Sequence, residues 1–144
     1  MTVLMCPGQG AQKVGMGKDL AERFPAAREV FAQIDAALEV PLSRIMWEGP
    51  ESELTLTHNT QPAILAHSAA VWAVVGEKLR GTVRAAAGHS LGEYSAYVAT
   101  EALAPEVAAK LVRRRGELMY QAGTRRAGAM AAVLGLGTAE VEAA

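Results

Sequence analysis

The pentapeptide Gly-His-Ser-Leu-Gly at residues 88–92 constrains the fold of this chain more than any other feature. An apolar run at residues 83–87, interrupted only by Arg84, precedes it, and a helix-forming stretch at residues 93–103 follows it. This order predicts a buried strand, a sharp turn and a helix, with the serine side chain raised above the end of a sheet. The glycines suit such a turn because a side chain at either flank would clash with the crowded backbone.

The same pentapeptide has an ordinary interpretation beside the catalytic one. The chain contains 14 glycines, and the pattern Gly-x-Ser-x-Gly arises by chance in roughly one shuffled chain of this composition in twenty. A glycine-rich turn with a solvated serine is therefore the alternative. The flanking strand and helix favour a nucleophilic Ser90 and thus acyl chemistry, although they name no substrate.

The composition limits the class of protein. Hydrophobic residues make up 51% of the 144 residues, which is enough for a buried core, and a net charge of −1 offers no basic surface for nucleic acid. No apolar run approaches the length of a membrane span, and residues 3–6 are too short for a signal peptide. The single cysteine, Cys6, suits a reducing cytoplasm. It could be a nucleophile, but its place at the end of an apolar strand favours a buried structural thiol.

Apolar periodicity predicts an α/β fold with a largely parallel sheet, because strands alternate with helices along the chain. Strands are predicted at residues 3–6, 83–87 and 129–136, and helices at residues 18–24, 25–38, 62–79, 93–103 and 105–122. Asn59 or Thr60 is expected to cap the third helix. A loop with Gly49-Pro50 and a short turn near residues 52–54 are expected before it.

The last residues predict a further element. Thr138 has the character of an N-cap for a helix starting at Ala139, which has hardly begun at Ala144. No glycine, proline or cationic last turn closes that helix. We therefore expect the N-terminal half of a larger protein. The alternative is a complete small domain with a frayed tail.

A serine nucleophile also needs an oxyanion hole and a base. The backbone N–H of Leu91 starts the helix after the turn, where the helix dipole favours negative charge. A second N–H is expected from the glycine-containing loop at residues 7–10, which follows another strand, although an ordinary strand-to-helix turn is an equal alternative there. No histidine is a convincing base. His89 is expected to support the turn, and His58 and His67 to be structural or solvated.

Arg115 is the most informative residue outside the pentapeptide. At about 100° per residue along its helix, it lies in the middle of an apolar face. The apolar residues of that face are Ala108, Leu111, Val112, Leu118, Met119 and Ala122. A charge there needs a partner, and a guanidinium suits a carboxylate. A structural ion pair with an internal Asp or Glu, or snorkelling to the surface, is the alternative. Arg113 and Arg114 are expected to be solvated charges.

Five short motifs together resemble the malonyl-CoA:acyl carrier protein transacylases of fatty acid synthesis and the related acyltransferase domains of polyketide synthases. The motifs are Pro7-Gly8-Gln9-Gly10 with Gln12, Gln61-Pro62-Ala63, Gly88-His89-Ser90-Leu91-Gly92-Glu93-Tyr94, Arg115-Gly116 and Gly128-Ala129-Met130. The resemblance implies a hydrolase-like α/β core, here residues 1–124. Residues 125–144 would begin a small ferredoxin-like α+β subdomain.

The resemblance also implies roles for individual residues. Ser90 would carry the acyl group, and the backbone amides of Gln9 and Leu91 would form the oxyanion hole. Arg115 would bind the free carboxylate of the malonyl group. The remaining residues of the cleft would be Gln61 and His89, which support it, and Met119 and Met130, which line it.

The activity implied by the resemblance is transfer of malonyl from malonyl-CoA to the phosphopantetheine thiol of acyl carrier protein through a malonyl-serine. No bound cofactor or metal, nucleic acid or membrane is implied. The catalytic histidine of the family lies in the second half of its chains, so these 144 residues alone are expected to be inactive. A serine esterase or thioesterase is one alternative, which Arg115 disfavours. A non-catalytic fragment that binds a carrier protein is the other.

Overall fold

The computed structural model describes residues 2–126, 128, 133 and 135–143. Two strands, β1 (Thr2–Cys6) and β2 (Val83–Gly88), form a parallel pair. The helices in the described residues are α1 (Lys18–Arg23), α2 (Pro25–Leu38), α3 (Leu42–Glu48), α4 (Glu51–Leu54), α5 (Thr57–Leu79), α6 (Gly92–Ala99), α7 (Pro105–Arg125) and α8 (Thr138–Glu142). The expected α/β fold with parallel strands is confirmed.

The register of the sheet brings two loops together. Cys6 pairs with Gly88, so β1 and β2 end at the same edge. The loop at residues 7–10 and the pentapeptide turn therefore leave the sheet side by side. Parallel strands need a long crossover connection, and here α1 to α5 supply it.

A helical layer forms the main core. Helix α5 packs against both α2 and α7, and α6 joins it beside the sheet. The largest fully buried apolar side chains are Phe31, Ile34, Leu42, Met46, Leu54, Ile64, Leu65, Leu91 and Val112. The alanines of α5, such as Ala63 and Ala70, are also fully buried. Because α5 is covered from several sides, its polar residues are buried with its apolar ones.

Helix α5 begins earlier than the sequence predicts. The predicted start at Pro62 and the predicted caps at Asn59 and Thr60 are wrong, because the helix starts at Thr57 and contains all three residues. The Asn59 and Thr60 side chains donate instead to backbone carbonyls of α4, those of Glu53 and Leu54, at 2.8 and 2.6 Å. Although proline suits the first position of a helix, contacts with α4 extend this helix before Pro62.

Other boundaries differ in smaller ways. Helix α3 lies in a segment predicted as loop, where burial of Leu42 and Met46 stabilises it. Helix α6 ends at Ala99, earlier than predicted, and the left-handed residue Glu101 (φ 61°) turns the chain away. Thr138 is the first residue of α8 rather than its cap, which is Gly137.

The predicted strand at residues 129–136 lies mainly outside the described residues. Of its described members, Val133, Gly135 and Leu136 have no strand conformation. The expectation that residues 125–144 begin a separate subdomain stays a prediction.

One face of the two-stranded sheet is open. Val3 and Met5 are 44% and 73% exposed, and their partners in the sheet, Ala85 and Ala87, are also exposed. The opposite face carries the buried Cys6. Within the described residues, no helix combines the length and the apolar character needed to cross a bilayer.

Candidate active site

The pentapeptide folds as a tight turn between β2 and α6, as its sequence predicts. Ser90 has a left-handed backbone conformation (φ 56°), which is uncommon for a residue other than glycine. The N–H of His89 donates to the Cys6 carbonyl at 3.1 Å, and the N–H of Gly92 donates to the His89 carbonyl at 2.9 Å. These bonds anchor the turn to β1 and leave the Ser90 side chain exposed at the tip.

Glycines allow three backbone segments to meet at this turn. A Cβ on Gly92 would lie 2.7 Å from the Pro7 carbonyl oxygen, and a Cβ on Gly8 would lie 2.8 Å from the His89 carbonyl oxygen. A Cβ on Gly88 would overlap the carbonyl group of Gly92. Any larger residue must therefore push the loop, the strand or the helix apart.

The two predicted sources of backbone amides lie at this same edge. Leu91 is fully buried and immediately precedes α6, and the loop at residues 7–10 packs against the start of that helix. Gln12 orders this loop, since its Oε1 accepts from the N–H of Gly10 at 2.8 Å. The roles of the Gln9 and Leu91 amides in an oxyanion hole remain predictions.

Arg115 reaches the serine from α7. Its Nη2 donates to Ser90 Oγ at 3.0 Å, and its Nη1 donates to Gln61 Oε1 at 2.7 Å. Gln61 is fully buried in α5, so its amide is a fixed acceptor. Among the described residues, the salt bridges of the chain do not include Arg115. Within the described residues, Arg115 therefore does not form the internal ion pair that was the alternative.

The apolar face predicted for α7 is only partly buried. Ala108 and Val112 are fully buried, whereas Leu111 and Leu118 are 46% and 50% exposed. The neighbouring helices cover one side of α7, and the rest of the predicted face lies beyond them. Met119 is 38% exposed and lies beside the site, with its Sδ 3.3 Å from Gln61 Nε2. The predicted pocket residue Met130 lies outside the described residues.

The expectation that Arg113 is a solvated charge is wrong. Its side chain is only 22% exposed, because it packs against the first turn of α5. Arg113 Nη1 donates to the His58 carbonyl at 3.2 Å and to Asn59 Oδ1. Arg114 is solvated as expected, with a side chain that is 63% exposed. Helical periodicity missed Arg113 because its partners on α5 are a backbone carbonyl and an asparagine side chain, which leave no apolar signal.

Among the described residues, no histidine side chain is hydrogen-bonded to the serine hydroxyl. His89 is exposed and packs against Gly8. Burial lowers the pKa of His67, which lies within α5, while Asp19 opposes that shift and Lys13 adds to it. His58 contacts Tyr120 edge to face, with ring centroids 5.6 Å apart. Among the described residues, Arg115 donates the hydrogen bond to Ser90 Oγ, and no histidine does.

Cys6 is buried, as expected, with 8% of its surface exposed. Burial raises the pKa of its thiol, which disfavours the reactive thiolate. The described part of the chain contains no group of three or more His, Cys, Asp or Glu side chains arranged to bind a metal ion. An exposed serine, a nearby cation and two loops rich in backbone donors therefore define the site, which suits a covalent acyl intermediate that carries a negative charge.

Known proteins resemble this chain in both sequence and structure. The chain is 50% identical over 133 residues to a malonyl CoA-acyl carrier protein transacylase of Bacillus subtilis, covering 90% of this chain and 41% of that protein. Its structure is similar to that of an acyl-carrier-protein-S-malonyltransferase from Bartonella henselae, with a TM-score of 0.86 and 42% identity over 99% of this chain and 47% of the other.

A second solved structure is a malonyl-transacylase in complex with a type II PKS acyl-carrier protein. It matches with a TM-score of 0.78 and 44% identity, covering 83% of this chain and 39% of that one. The chain thus spans less than half the length of the relatives it matches. The sequence pattern of the acyl transferase domain matches residues 3–144. The chain therefore belongs to the acyl transferase domain family.

Proposed function

We propose that this chain supplies the nucleophile and the carboxylate-binding side of a malonyl-CoA:acyl carrier protein S-malonyltransferase. The observation that supports this most is the 3.0 Å contact between Arg115 Nη2 and Ser90 Oγ. A guanidinium this close to the hydroxyl supports a role for Arg115 in binding the free carboxylate of a short dicarboxylic acyl group on Ser90. The names of the similar proteins support the same substrate and the same acceptor.

The proposed reaction proceeds in two transfers. Ser90 Oγ attacks the thioester carbonyl of malonyl-CoA and loses its proton to a base outside the described residues, and CoA leaves as the thiol. The amides of Gln9 and Leu91 stabilise the oxyanion in each tetrahedral intermediate. The phosphopantetheine thiol of acyl carrier protein then attacks the malonyl-serine ester, and Ser90 regains its proton. No bound cofactor or metal takes part.

Arg115 gives the reaction its selectivity. A malonyl carboxylate can accept two N–H groups of the guanidinium, whereas an acetyl group would leave the half-buried charge without an anion. Both neighbouring arginines pair with one carboxylate, that of Glu117, whereas no carboxylate within the described residues pairs with Arg115. Gln61 orients it through Nη1.

A serine esterase or thioesterase is the second candidate, because the turn around Ser90 alone suits hydrolysis equally well. The Arg115 contact disfavours it, since a simple ester pocket has no need of a cation beside the nucleophile. These 144 residues alone are expected to bind a carrier protein rather than to turn over substrate. The enzyme is expected in the cytoplasm, with acyl carrier protein as its partner.

Intact-mass analysis tests the proposal on the full-length polypeptide encoded by the reading frame that contains this chain. Incubation with malonyl-CoA should add one malonyl group to the wild type and none to Ser90→Ala. Arg115→Ala should lose malonyl loading by about 100-fold while acetyl loading changes little, because an ion-paired hydrogen bond contributes up to about 3 kcal/mol. Equal losses for both acyl groups, or free malonate released without carrier protein, would contradict the proposal.

A further inference from the structure

Pro62 leaves an unpaired acceptor in the first turns of α5. Because proline has no backbone N–H, it cannot donate to the carbonyl four residues earlier, which is that of His58. This carbonyl lies in the half-buried region where α5 meets α7. A buried carbonyl without a partner is costly, so another donor must satisfy it.

Arg113 is that donor. Its Nη1 donates to the His58 carbonyl at 3.2 Å and also to Asn59 Oδ1. Asn59 is 4% exposed and is itself fixed, since its Nδ2 donates to the Glu53 carbonyl at 2.8 Å. The guanidinium therefore connects the middle of α7 to the start of α5 and to α4.

The same sequence separation recurs two residues further along both helices. Arg113 bonds Asn59 and Arg115 bonds Gln61, so each pair is separated by 54 residues of chain. Gly116 lies at the crossing, where a Cβ would be 2.6 Å from His58 Cα. Both arginines of α7 thus donate hydrogen bonds to the start of α5. Of the two, Arg115 also donates to Ser90 Oγ.

We infer that Arg113 is a positioning residue for malonyl selectivity. It fixes the separation and register of α5 and α7, and through Gln61 it fixes the Arg115 guanidinium at its distance from Ser90. This inference rests on the proposed function of Arg115. Arg113 is not placed on the acyl group, because its Nε bonds Glu117 and its Nη1 bonds the start of α5, whereas Arg115 is the residue that bonds Ser90 Oγ.

The chain offers a matched control on the next residue. Arg114 carries the same charge on the same helix and pairs with the same Glu117, but its side chain is 63% exposed. Its bonds in the described residues do not reach α5. Arg114→Ala therefore removes an equal charge without touching the contact between the helices.

The experiment compares malonyl and acetyl loading on Ser90 by intact mass, in the full-length polypeptide, for Arg113→Ala, Arg113→Lys, Asn59→Ala and Arg114→Ala. The malonyl-to-acetyl loading ratio should fall about 10-fold in Arg113→Ala, because loss of a hydrogen bond from a charged donor has an effect of this size. Arg113→Lys keeps one donor for the His58 carbonyl and should recover part of the ratio. Arg114→Ala should keep the wild-type ratio.

A ratio that stays unchanged in Arg113→Ala, or malonyl and acetyl rates that fall equally, would overturn the inference and leave Arg113 a structural residue. If Arg113→Ala does not fold, the malonyl-to-acetyl loading ratios of Arg113→Lys and Asn59→Ala decide whether Arg113 is a positioning residue. Wild type that shows no malonyl preference refutes the proposed function instead. Amide hydrogen exchange at residues 57–61 then tests the positioning alone. Exchange must accelerate in Arg113→Lys and not in Arg114→Ala, and equal exchange in both would overturn it.

Discussion

On one side of the candidate active site, β1, β2 and α6 meet through glycines, whereas on the other side α5 and α7 meet through hydrogen-bonded polar side chains. We call these the elbow side, residues 6–10 and 88–92, and the arginine side, the first turns of α5 with the middle of α7. On the elbow side, the lack of a Cβ lets Gly8, Gly88 and Gly92 lie close to the backbone of other residues. On the arginine side, Arg113 and Arg115 bond to α5.

The difference teaches how each side can fail. Steric contacts on the elbow side tolerate no added atom, because backbone carbonyls cannot move without shifting a strand or a helix. Hydrogen bonds on the arginine side are lost when a partner is removed. Their loss is expected to change the orientation of a guanidinium rather than the fold. Changes on the elbow side should therefore affect stability, and changes on the arginine side should affect acyl selectivity.

The largest effect is expected from Gly92→Ala. The new Cβ would lie 2.7 Å from the Pro7 carbonyl oxygen, and such overpacking destabilises proteins by about 3 kcal/mol. The urea midpoint of unfolding of the full-length polypeptide should fall clearly. Gly81→Ala is the matched control, since nothing lies within 4 Å of a Cβ there. A Gly92→Ala midpoint equal to that of Gly81→Ala would show that the elbow side is not sterically closed.

Gly116→Ala tests a steric contact on the arginine side. Its Cβ would be 2.6 Å from His58 Cα, so a loss of about 2 kcal/mol is expected despite the better helix propensity of alanine. Gly123→Ala, on the same helix with nothing within 4 Å of its Cβ, should instead stabilise by up to about 1 kcal/mol. Opposite shifts of the two urea midpoints are therefore predicted. Shifts in the same direction would contradict the described crossing of α5 and α7.

Gln61→Ala should change selectivity more than stability. The substitution removes the acceptor of Arg115 Nη1, and malonyl loading should fall about 10-fold because a bond to a charged donor is lost. Acetyl loading should stay within a factor of about two, since no charge is involved in its binding. Gln33→Ala, an exposed glutamine of α2 that bonds Glu29, is the control. A similar loss of malonyl loading in Gln33→Ala, or an equal loss of acetyl loading in Gln61→Ala, would show that Gln61 does not act through Arg115.

The smallest effect concerns His67, which lies on α5 but on neither side of the site. Burial lowers its pKa in the folded protein, so the unfolded chain binds the proton first as the pH falls. Stability should therefore decline below about pH 6.5, the ordinary histidine value. The urea midpoint of His67→Gln should decline less between pH 7.5 and about 5.5 than that of wild type. Parallel declines would show that His67 does not contribute.

The elbow side could be predicted because its contacts follow local sequence order. A strand, a glycine, a serine, a second glycine and a helix specify one turn, and Ser90 adopts it with a left-handed backbone. The parallel pairing also followed from the alternation of elements. The arginine side could be predicted only in part. The position of Arg115 on its helix singles it out, whereas only the family resemblance indicates Gln61, and the sequence predicts wrongly that Arg113 is solvated.

The sequence by itself determined the turn around Ser90, the parallel strands and the helices α2 and α7, because glycine spacing and apolar periodicity act over a few residues. The tertiary structure decided where α5 begins, which arginine of three is solvated, and that Arg115 meets Ser90. The start of α5 depends on side-chain bonds to α4 only six residues away, whereas the other two outcomes depend on pairs separated by 25 to 55 residues of chain. The physical reason is that a freed carbonyl or a buried amide finds its partner only after the helices have packed.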